Sequence, residues 1–217
     1  MGKPLVIFDF DGVIVDSVKL LESEIRKKLH ELGYDFMETR QETLDLFEEN
    51  IVVALIDHGL TPHHMCEVWE HIQGITKSND IKLCSGMGDL LEGLKDKCDM
   101  AIVSSNATDS IEESLDRLGV KSYFFRISGG DQAMGKVVRI KKCMEDMGVK
   151  PSRTFYVGDT VGDVHEAKEA GVGSIAVIWG MHPPDRLASA SPDIVVKDSS
   201  ELFDLIDAFA DEESSED

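Results

Sequence analysis

The chain opens with a strongly apolar segment that ends in two carboxylates. Residues 5–10 read Leu-Val-Ile-Phe-Asp-Phe, which is typical of a strand buried on both faces of a parallel sheet. Because side chains alternate along a strand, Asp9 and Asp11 lie on one side of the backbone, and Gly12 allows a turn directly after them. Two like charges this close are costly unless a cation neutralises them or one takes a proton. The segment therefore indicates either a Mg²⁺ site beside a nucleophile, or a turn with two solvated aspartates.

Composition narrows the kind of partner that the chain can bind. It has 217 residues, of which 42% are hydrophobic and 29% are charged, so it can form one large domain, or one domain with an insert, around a buried core. The formal net charge is −20. Because such a surface repels nucleic-acid phosphates and anionic membranes, we expect neither a nucleic acid nor a membrane as a partner.

The cysteines and the start of the chain indicate the compartment. The four cysteines are widely spread with no CxxC pair, which is typical of reduced thiols. The first residues lead directly into the predicted strand without a secretory signal, and no apolar run approaches the roughly 20 residues of a transmembrane helix. We therefore expect a cytoplasmic protein, for which the choice between a monomer and a homodimer stays open.

A helical segment interrupts the strand pattern early in the chain. Apolar residues at a spacing of three and four predict helices; Gly33 ends the first, and Thr61 and Pro62 open the last as N-cap and first helical residue. The predicted helices cover residues 20–32, 41–58 and 62–77. We therefore predict a small α-helical cap domain over residues 18–82, here called the cap segment.

From Gly86 onward, short apolar strands alternate with amphipathic helices. The predicted strands cover residues 100–103, 123–127, 154–157, 174–178 and 193–196. Repeated units of this length predict an α/β fold with a doubly wound parallel sheet of the Rossmann-like kind. The core domain would comprise residues 1–17 and 83–210, and the acidic residues 211–217 would form a disordered tail.

Polar residues directly follow three of the predicted strands. Asp9 and Asp11 follow the first, residues 104–106 read Ser-Ser-Asn after the next, and Asp159 and Asp163 follow the strand at 154–157. Ligands of such sheets bind at the carboxyl ends of the strands, in the crevice at a topological switch point. The sequence therefore predicts one site at this edge of the sheet.

Four motifs occur in a characteristic order along the chain: DFDGVIVDS, IVSSN, GK at 135–136 and VGDTVGD at 157–163. This order resembles the haloacid dehalogenase (HAD) superfamily, in particular its capped phosphatases of the phosphoglycolate phosphatase and β-phosphoglucomutase type. The resemblance covers nearly the whole chain except the acidic tail. Haloacid dehalogenases proper lack a carboxylate at the position of Asp11, so this residue favours phosphate chemistry.

The resemblance implies specific roles for the carboxylates. Asp9 would be the nucleophile that forms an aspartyl-phosphate, and Asp11 would protonate the leaving group and then activate water. Asp9, the backbone carbonyl of Asp11 and Asp159 would hold Mg²⁺, with Asp163 as a ligand or a supporting residue. Alternatively, Asp163 is simply a favourable charge in the first turn of a helix.

The resemblance also implies a set of phosphate contacts. Ser104, Ser105 and Gly12 would bind the phosphoryl group, and Lys136 would pair with Asp9 and the phosphate as a point charge. The two serines could instead cap a helix. Lys141 and Lys142, the other lysines nearby, are expected on a solvated helix face. Asn106 is expected to be a turn residue, Ser17 a helix N-cap, and residues 179–184 a loop at the rim.

The activity implied is Mg²⁺-dependent hydrolysis of a small, phosphoglycolate-like phosphomonoester metabolite. One alternative is a phosphosugar mutase of the β-phosphoglucomutase type, for which Arg40 lies in the right region but without the usual glycine. A phosphonoacetaldehyde hydrolase would need a lysine of the cap segment, where the lysines are expected to be solvated. A non-catalytic binding relative and a phospho-acceptor signalling domain are further alternatives; the second needs no insert at this point.

Overall fold

Six strands form one parallel sheet in the computed structural model, which describes residues 3–48, 51–132 and 134–211. The strands are β1 (Leu5–Phe8), β2 (Asp99–Val103), β3 (Phe124–Ser128), β4 (Thr154–Gly158), β5 (Gly173–Val177) and β6 (Ile194–Val196). Their order across the sheet is β3-β2-β1-β4-β5-β6, so the order reverses beside β1. The predicted doubly wound α/β sheet is confirmed.

Helices connect and cover the strands. Those of the described residues are α1 (Val18–Glu31), α2 (Arg40–Leu46), α3 (Ile51–Asp57), α4 (Pro62–Thr76), α5 (Met87–Leu94), α6 (Thr108–Leu118), α7 (Lys136–Met147), α8 (Val161–Ala170), α9 (Pro184–Ser189) and α10 (Ser199–Asp211). Among these described helices, none combines the length and the apolar character that a membrane span requires.

Strand β1 lies at the centre of the sheet, between β2 and β4, and all four of its side chains are buried. Val6 and Phe8 pack into the larger apolar cluster, whereas Leu5 and Ile7 pack into a second cluster on the opposite face. The strand is therefore buried on both faces, as predicted. Asp9 is the next residue of the Leu5 and Ile7 series, so its position follows from the strand period.

The cap segment contains α1 to α4, and it contributes no strand to the sheet within the described residues. The prediction of one helix over residues 41–58 is wrong, because α2 ends at Leu46 and α3 starts at Ile51. The N–H of Glu48 donates to the carbonyl three residues earlier, a tight turn that ends α2. The break lets Leu44 pack against Met181 while Leu55 joins the main apolar cluster.

The two ends of the cap segment cross side by side. Val15 and Leu83 form an antiparallel bridge, and the N–H of Asp16 donates to the carbonyl of Lys82 at 2.9 Å. This pairing lies at the boundaries predicted for residues 18–82, whose status as a separate domain remains a prediction.

The C-terminal end of the chain departs from the prediction at one residue. Helix α10 extends to Asp211, which was predicted to belong to the disordered tail. Residues 212–217 lie outside the described residues.

The central position of Phe8 makes a testable stability prediction. Phe8 is fully buried and packs edge-on against Phe124, so Phe8→Ala should lower the free energy of unfolding by about 3–5 kcal/mol. Phe125→Ala is the matched control, because Phe125 also lies in the sheet but is 42% exposed. Urea denaturation measures both variants. Equal losses of unfolding free energy in Phe8→Ala and Phe125→Ala would contradict the central role of β1.

Candidate active site

Three strand ends bring the predicted site residues together. Asp9 follows β1 and its N–H donates to the carbonyl of Val157 in β4 at 2.8 Å. Ser104 follows β2 and Asp159 follows β4. All three line a cavity of about 110 Å³ at the carboxyl edge of β2, β1 and β4, where the strand order reverses. The cavity is formed by the core on one side and the cap segment on the other.

A cluster of carboxylates in this cavity could hold a metal ion. Asp9, Asp159 and Asp163 each offer one carboxylate oxygen, and these oxygens lie within 4.8 Å of one another. The backbone carbonyl of Asp11 accepts no hydrogen bond from the described residues, so its oxygen is available to a ligand. Oxygen donors of this kind fit Mg²⁺, which needs only one or two carboxylates because it keeps several waters.

Two glycines fix the position of Asp159. Gly12 has a φ of +72°, and both Gly12 and Gly180 lie so close to the Asp159 carboxylate that a Cβ at either position would overlap it. The Oδ2 atom of Asp159 accepts a hydrogen bond from the N–H of Met181 at 2.6 Å. The N–H of Gly12 donates to the carbonyl of Val15 at 2.9 Å. The phosphate contact predicted for Gly12 therefore cannot use this N–H without breaking the turn.

Lys136 is surrounded by three carboxylates. It is the first residue of α7, and its Nζ lies 2.6 Å from Asp163 Oδ1, 3.2 Å from Asp9 Oδ1 and 3.3 Å from Glu166 Oε2. Burial alone would lower the pKa of Lys136, but the carboxylates of Asp163, Asp9 and Glu166 outweigh it and hold this pKa well above its usual value. Lys136 therefore stays charged. Lys141 and Lys142 are exposed on the same helix.

The carboxylates carry more negative charge than Lys136 can balance. Burial raises the pKa of Asp159 well above its usual value, and the neighbouring Asp163 and Asp9 raise it further. Burial also raises the pKa of Asp9 to about 7, although Lys136 acts in the opposite direction. Burial would do the same to Asp163, but Lys136 and Thr160 overcome it and lower the pKa of Asp163. A divalent cation would relieve this repulsion.

Asp163 serves the helix and the site together. Its N–H donates to Thr160 Oγ1 at 3.1 Å, and its Oδ2 accepts the N–H of Thr160 at 3.0 Å, which forms a capping box at the start of α8. The other oxygen, Oδ1, pairs with Lys136. Asp163 can therefore be both a favourable charge in the first turn of α8 and a supporting residue of the site.

The side chain of Asp11 lines the same cavity but is not part of the carboxylate cluster. Its Oδ1 accepts a hydrogen bond from Ser17 Oγ at 2.5 Å, and its Oδ2 accepts one from Asn106 Nδ2. Burial raises the pKa of Asp11, although these two donors lower it. Ser17 occupies the N-cap position of α1, as predicted, but its side chain bonds to Asp11 and makes no cap hydrogen bond. Asn106, which was expected only as a turn residue, contacts the site through Asp11.

The two serines after β2 do not cap the following helix. The N-cap of α6 is Ala107, so the capping interpretation is wrong. Ser104 is buried, and its Oγ accepts the N–H of Asn106 at 3.3 Å, while Ser105 is exposed. Both line the cavity. Their predicted phosphate contacts remain predictions.

Sequence reasoning missed three side chains that support this site. Tyr156 donates to the carbonyl of Val103 at 2.9 Å, and its hydroxyl lies 3.4 Å from both Asp9 and Asp163. In the sequence, Tyr156 is one residue of the strand predicted over 154–157. Glu166 pairs with Lys136. The third is Arg139, described next.

Arg139 ties the ends of β2 and β3 together. It is buried, and its Nη1 donates to the carbonyls of Ser104 at 2.8 Å and Ser128 at 2.7 Å. It lies three residues after Lys136, so the two side chains share one face of α7. That spacing is a signal by which the sequence could have revealed Arg139.

The loop after β5 joins the site to the cap segment. The N–H of His182 donates to the carbonyl of Asp159 at 3.1 Å. Its Nδ1 accepts the N–H of Val161 at 3.0 Å, so Nε2 carries the proton and donates to the carbonyl of Leu44 at 3.0 Å. Burial lowers the pKa of His182, in agreement with a neutral ring. Arg40 adds a bond to the carbonyl of Met181 at 2.7 Å.

Known proteins share both the sequence pattern and the fold. The family model described as haloacid dehalogenase-like hydrolase matches residues 6–177. The phosphoglycolate phosphatase of Synechococcus elongatus is 29% identical over 208 residues, covering 93% of this chain and 96% of that protein. That of Aquifex aeolicus is 28% identical over 210 residues, covering 94% and 96%. A haloacid dehalogenase-like family hydrolase of Streptococcus pneumoniae has a solved structure with a TM-score of 0.79 at 20% identity, covering 94% of this chain and 98% of that one.

These matches define the class and then the family. The parallel sheet with an acidic cavity at its carboxyl edge is that of an α/β protein whose ligand site lies at the topological switch point. The family match spans β1 through β5, which are the strands that carry Asp9, Ser104 and Asp159. The chain belongs to the haloacid dehalogenase-like hydrolase family, which confirms the resemblance inferred from the four motifs.

The contact between Gly180 and Asp159 makes a prediction about metal binding. In Gly180→Ala the new Cβ would displace the Asp159 carboxylate, so the dissociation constant for Mg²⁺ should rise by about 10–100-fold. Gly74→Ala is the matched control, because no atom lies within 4 Å of a Cβ at that position in α4. A Mg²⁺ titration followed by thermal unfolding measures both. An unchanged affinity for Mg²⁺ in Gly180→Ala would show that the close contact between Gly180 and Asp159 does not position a metal ligand.

Proposed function

We propose that the protein is a Mg²⁺-dependent phosphatase that hydrolyses small phosphomonoester metabolites in the cytoplasm through an aspartyl-phosphate on Asp9. The observation that carries this proposal is the different environment of the two aspartates. Asp9 lies in the carboxylate cluster beside Lys136, while the side chain of Asp11 is held apart by Ser17 and Asn106. Two carboxylates in different surroundings suit two different chemical roles.

The first step would form the intermediate. An oxygen of Asp9 attacks the phosphorus atom, the bond between phosphorus and the alcohol oxygen breaks, and Asp11 gives its proton to that oxygen. Lys136 balances negative charge on Asp9 and on the phosphoryl oxygens. Ser104 and Ser105, which line the cavity after the end of β2, would bind the same oxygens.

The second step would release phosphate. Asp11, now ionised, takes a proton from a water molecule, whose oxygen attacks the phosphorus atom and breaks the bond to Asp9. Asp11 is thereby protonated again and Asp9 is free. Both steps use the same pair of side chains in opposite directions.

The residues suited to hold Mg²⁺ are Asp9, the backbone carbonyl of Asp11, and Asp159. Asp163 would support them, because both of its oxygens already accept hydrogen bonds or pair with Lys136. When bound, the ion neutralises the carboxylates and polarises the phosphoryl group. No comparable observation favours the phosphosugar mutase, since Arg40 is engaged by Glu22 and the carbonyl of Met181 rather than lining the cavity.

The roles of the two aspartates lead to opposite mutant phenotypes. Asp9→Asn removes the nucleophile, so the rate with an aryl phosphate should fall by about 10⁴-fold or more. Asp11→Asn keeps the nucleophile, and an aryl phosphate needs no acid for its departure. The phosphoryl group should therefore reach Asp9 and persist there, because nothing activates water. Intact-mass analysis of quenched protein, followed by peptide mapping, detects the adduct.

The control for both variants is Asp204→Asn, at an exposed position of α10, which should retain full activity and show no adduct. Rapid steady turnover by Asp9→Asn would overturn the proposal, as would an adduct of Asp11→Asn that maps to another residue.

A further inference from the structure

The cavity beside Asp9 has two chemically different walls. The wall from the core carries the polar and charged groups of the site. The wall from the cap segment consists, among the described lining residues, entirely of apolar side chains, including Leu21, Ile25, Phe47, Trp69 and Ile72. These residues come from α1, from the turn after α2 and from α4, so three separate parts of the cap segment present the same chemistry.

The described lining of the cavity provides no free positive charge for a second anionic group. Lys136 is the only basic residue in that lining, and it already lies within 3.3 Å of three carboxylates. Two nearby cations of the cap segment are also engaged. Arg40 pairs with Glu22 and bonds to Met181, and Lys28 pairs with Glu67 at 2.9 Å.

A carboxylate on the leaving group would therefore lose its water without gaining a partner. Burial of an unpaired charge is strongly unfavourable, and the acidic site would add like-charge repulsion. Burial of an apolar leaving group is favourable instead, because each methylene that enters the cavity moves from water to a hydrocarbon wall.

We propose that the substrate is a phosphomonoester of an uncharged, mainly hydrocarbon alcohol, alkyl or aryl, whose apolar portion packs against the wall formed by the cap segment. This inference rests on the proposed phosphatase function and specifies its substrate class. It separates this chain from the activity in the names of its relatives, since phosphoglycolate carries a carboxylate directly beside its ester.

Two substrates of matched shape test the inference. Isobutyl phosphate carries two methyl groups where phosphoglycolate carries the two carboxylate oxygens. With Mg²⁺ present, kcat/KM for isobutyl phosphate should exceed that for phosphoglycolate by at least about 100-fold. In the series from ethyl to butyl phosphate, each added methylene should raise kcat/KM about fourfold.

A new cation in the apolar wall should reverse this preference. Trp69 is half-buried on α4, and Trp69→Arg should shift the ratio of the two kcat/KM values by at least about tenfold towards phosphoglycolate. Intrinsic reactivity cancels when the ratio is compared between variants. Cys66→Arg adds the same charge at an exposed position of the same helix and should leave the ratio unchanged. Ile51→Arg, on α3, gives an independent answer if Trp69→Arg does not fold.

The outcomes separate the two levels of the proposal. A wild-type preference for phosphoglycolate over isobutyl phosphate would overturn the inferred substrate class and leave the phosphatase function standing. A ratio that neither folded arginine variant changes would overturn the role of the apolar wall. No turnover of either substrate or of phenyl phosphate would overturn the phosphatase function, and this inference with it.

Discussion

The structure of this site depends on one ammonium group among several buried or half-buried carboxylates. Lys136 pairs with Asp9, Asp163 and Glu166, and Asp159 adds a further carboxylate at the same edge. The charges do not cancel, and burial makes the imbalance expensive. Four elements place these groups: Asp9 follows β1, Asp159 follows β4, Lys136 begins α7, and Asp163 and Glu166 both lie on α8. The excess negative charge is what makes the site suited to a divalent cation.

The same loop that positions Asp159 also contacts the cap segment. Met181 and His182 bond to Asp159 with their N–H groups, while the His182 ring donates to Leu44 and Arg40 bonds to Met181. Any shift of α2 would therefore move the loop that bonds to Asp159, a proposed metal ligand. The cap segment thus contributes in two ways, because it provides the apolar wall of the cavity and supports the loop that holds the acidic wall.

The fold and the principal acidic residues could be predicted because they depend on local patterns. The alternation of strands and helices predicts the sheet. A carboxylate that directly follows an apolar strand is predicted to lie at the carboxyl edge of that sheet. The contact between Asn106 and Asp11 could not be predicted, because Asn106 reaches Asp11 only after β2 and β1 pair side by side. Tyr156 and Gly180 were missed for the same reason. In the sequence Tyr156 resembles a core residue and Gly180 a loop residue, and only the tertiary structure places Tyr156 beside Asp9 and Gly180 beside Asp159.

The most direct test of the account is thermal unfolding of the wild type and Asp159→Asn, each with EDTA and with Mg²⁺. Removing one buried like charge should make Asp159→Asn the more stable protein in EDTA. Mg²⁺ at about 100 times its dissociation constant should raise the Tm of the wild type by roughly 5–10 °C, and that of Asp159→Asn much less. A wild type that Mg²⁺ does not stabilise, or an Asp159→Asn variant that is less stable in EDTA, would contradict the claim that unbalanced carboxylates create the metal site.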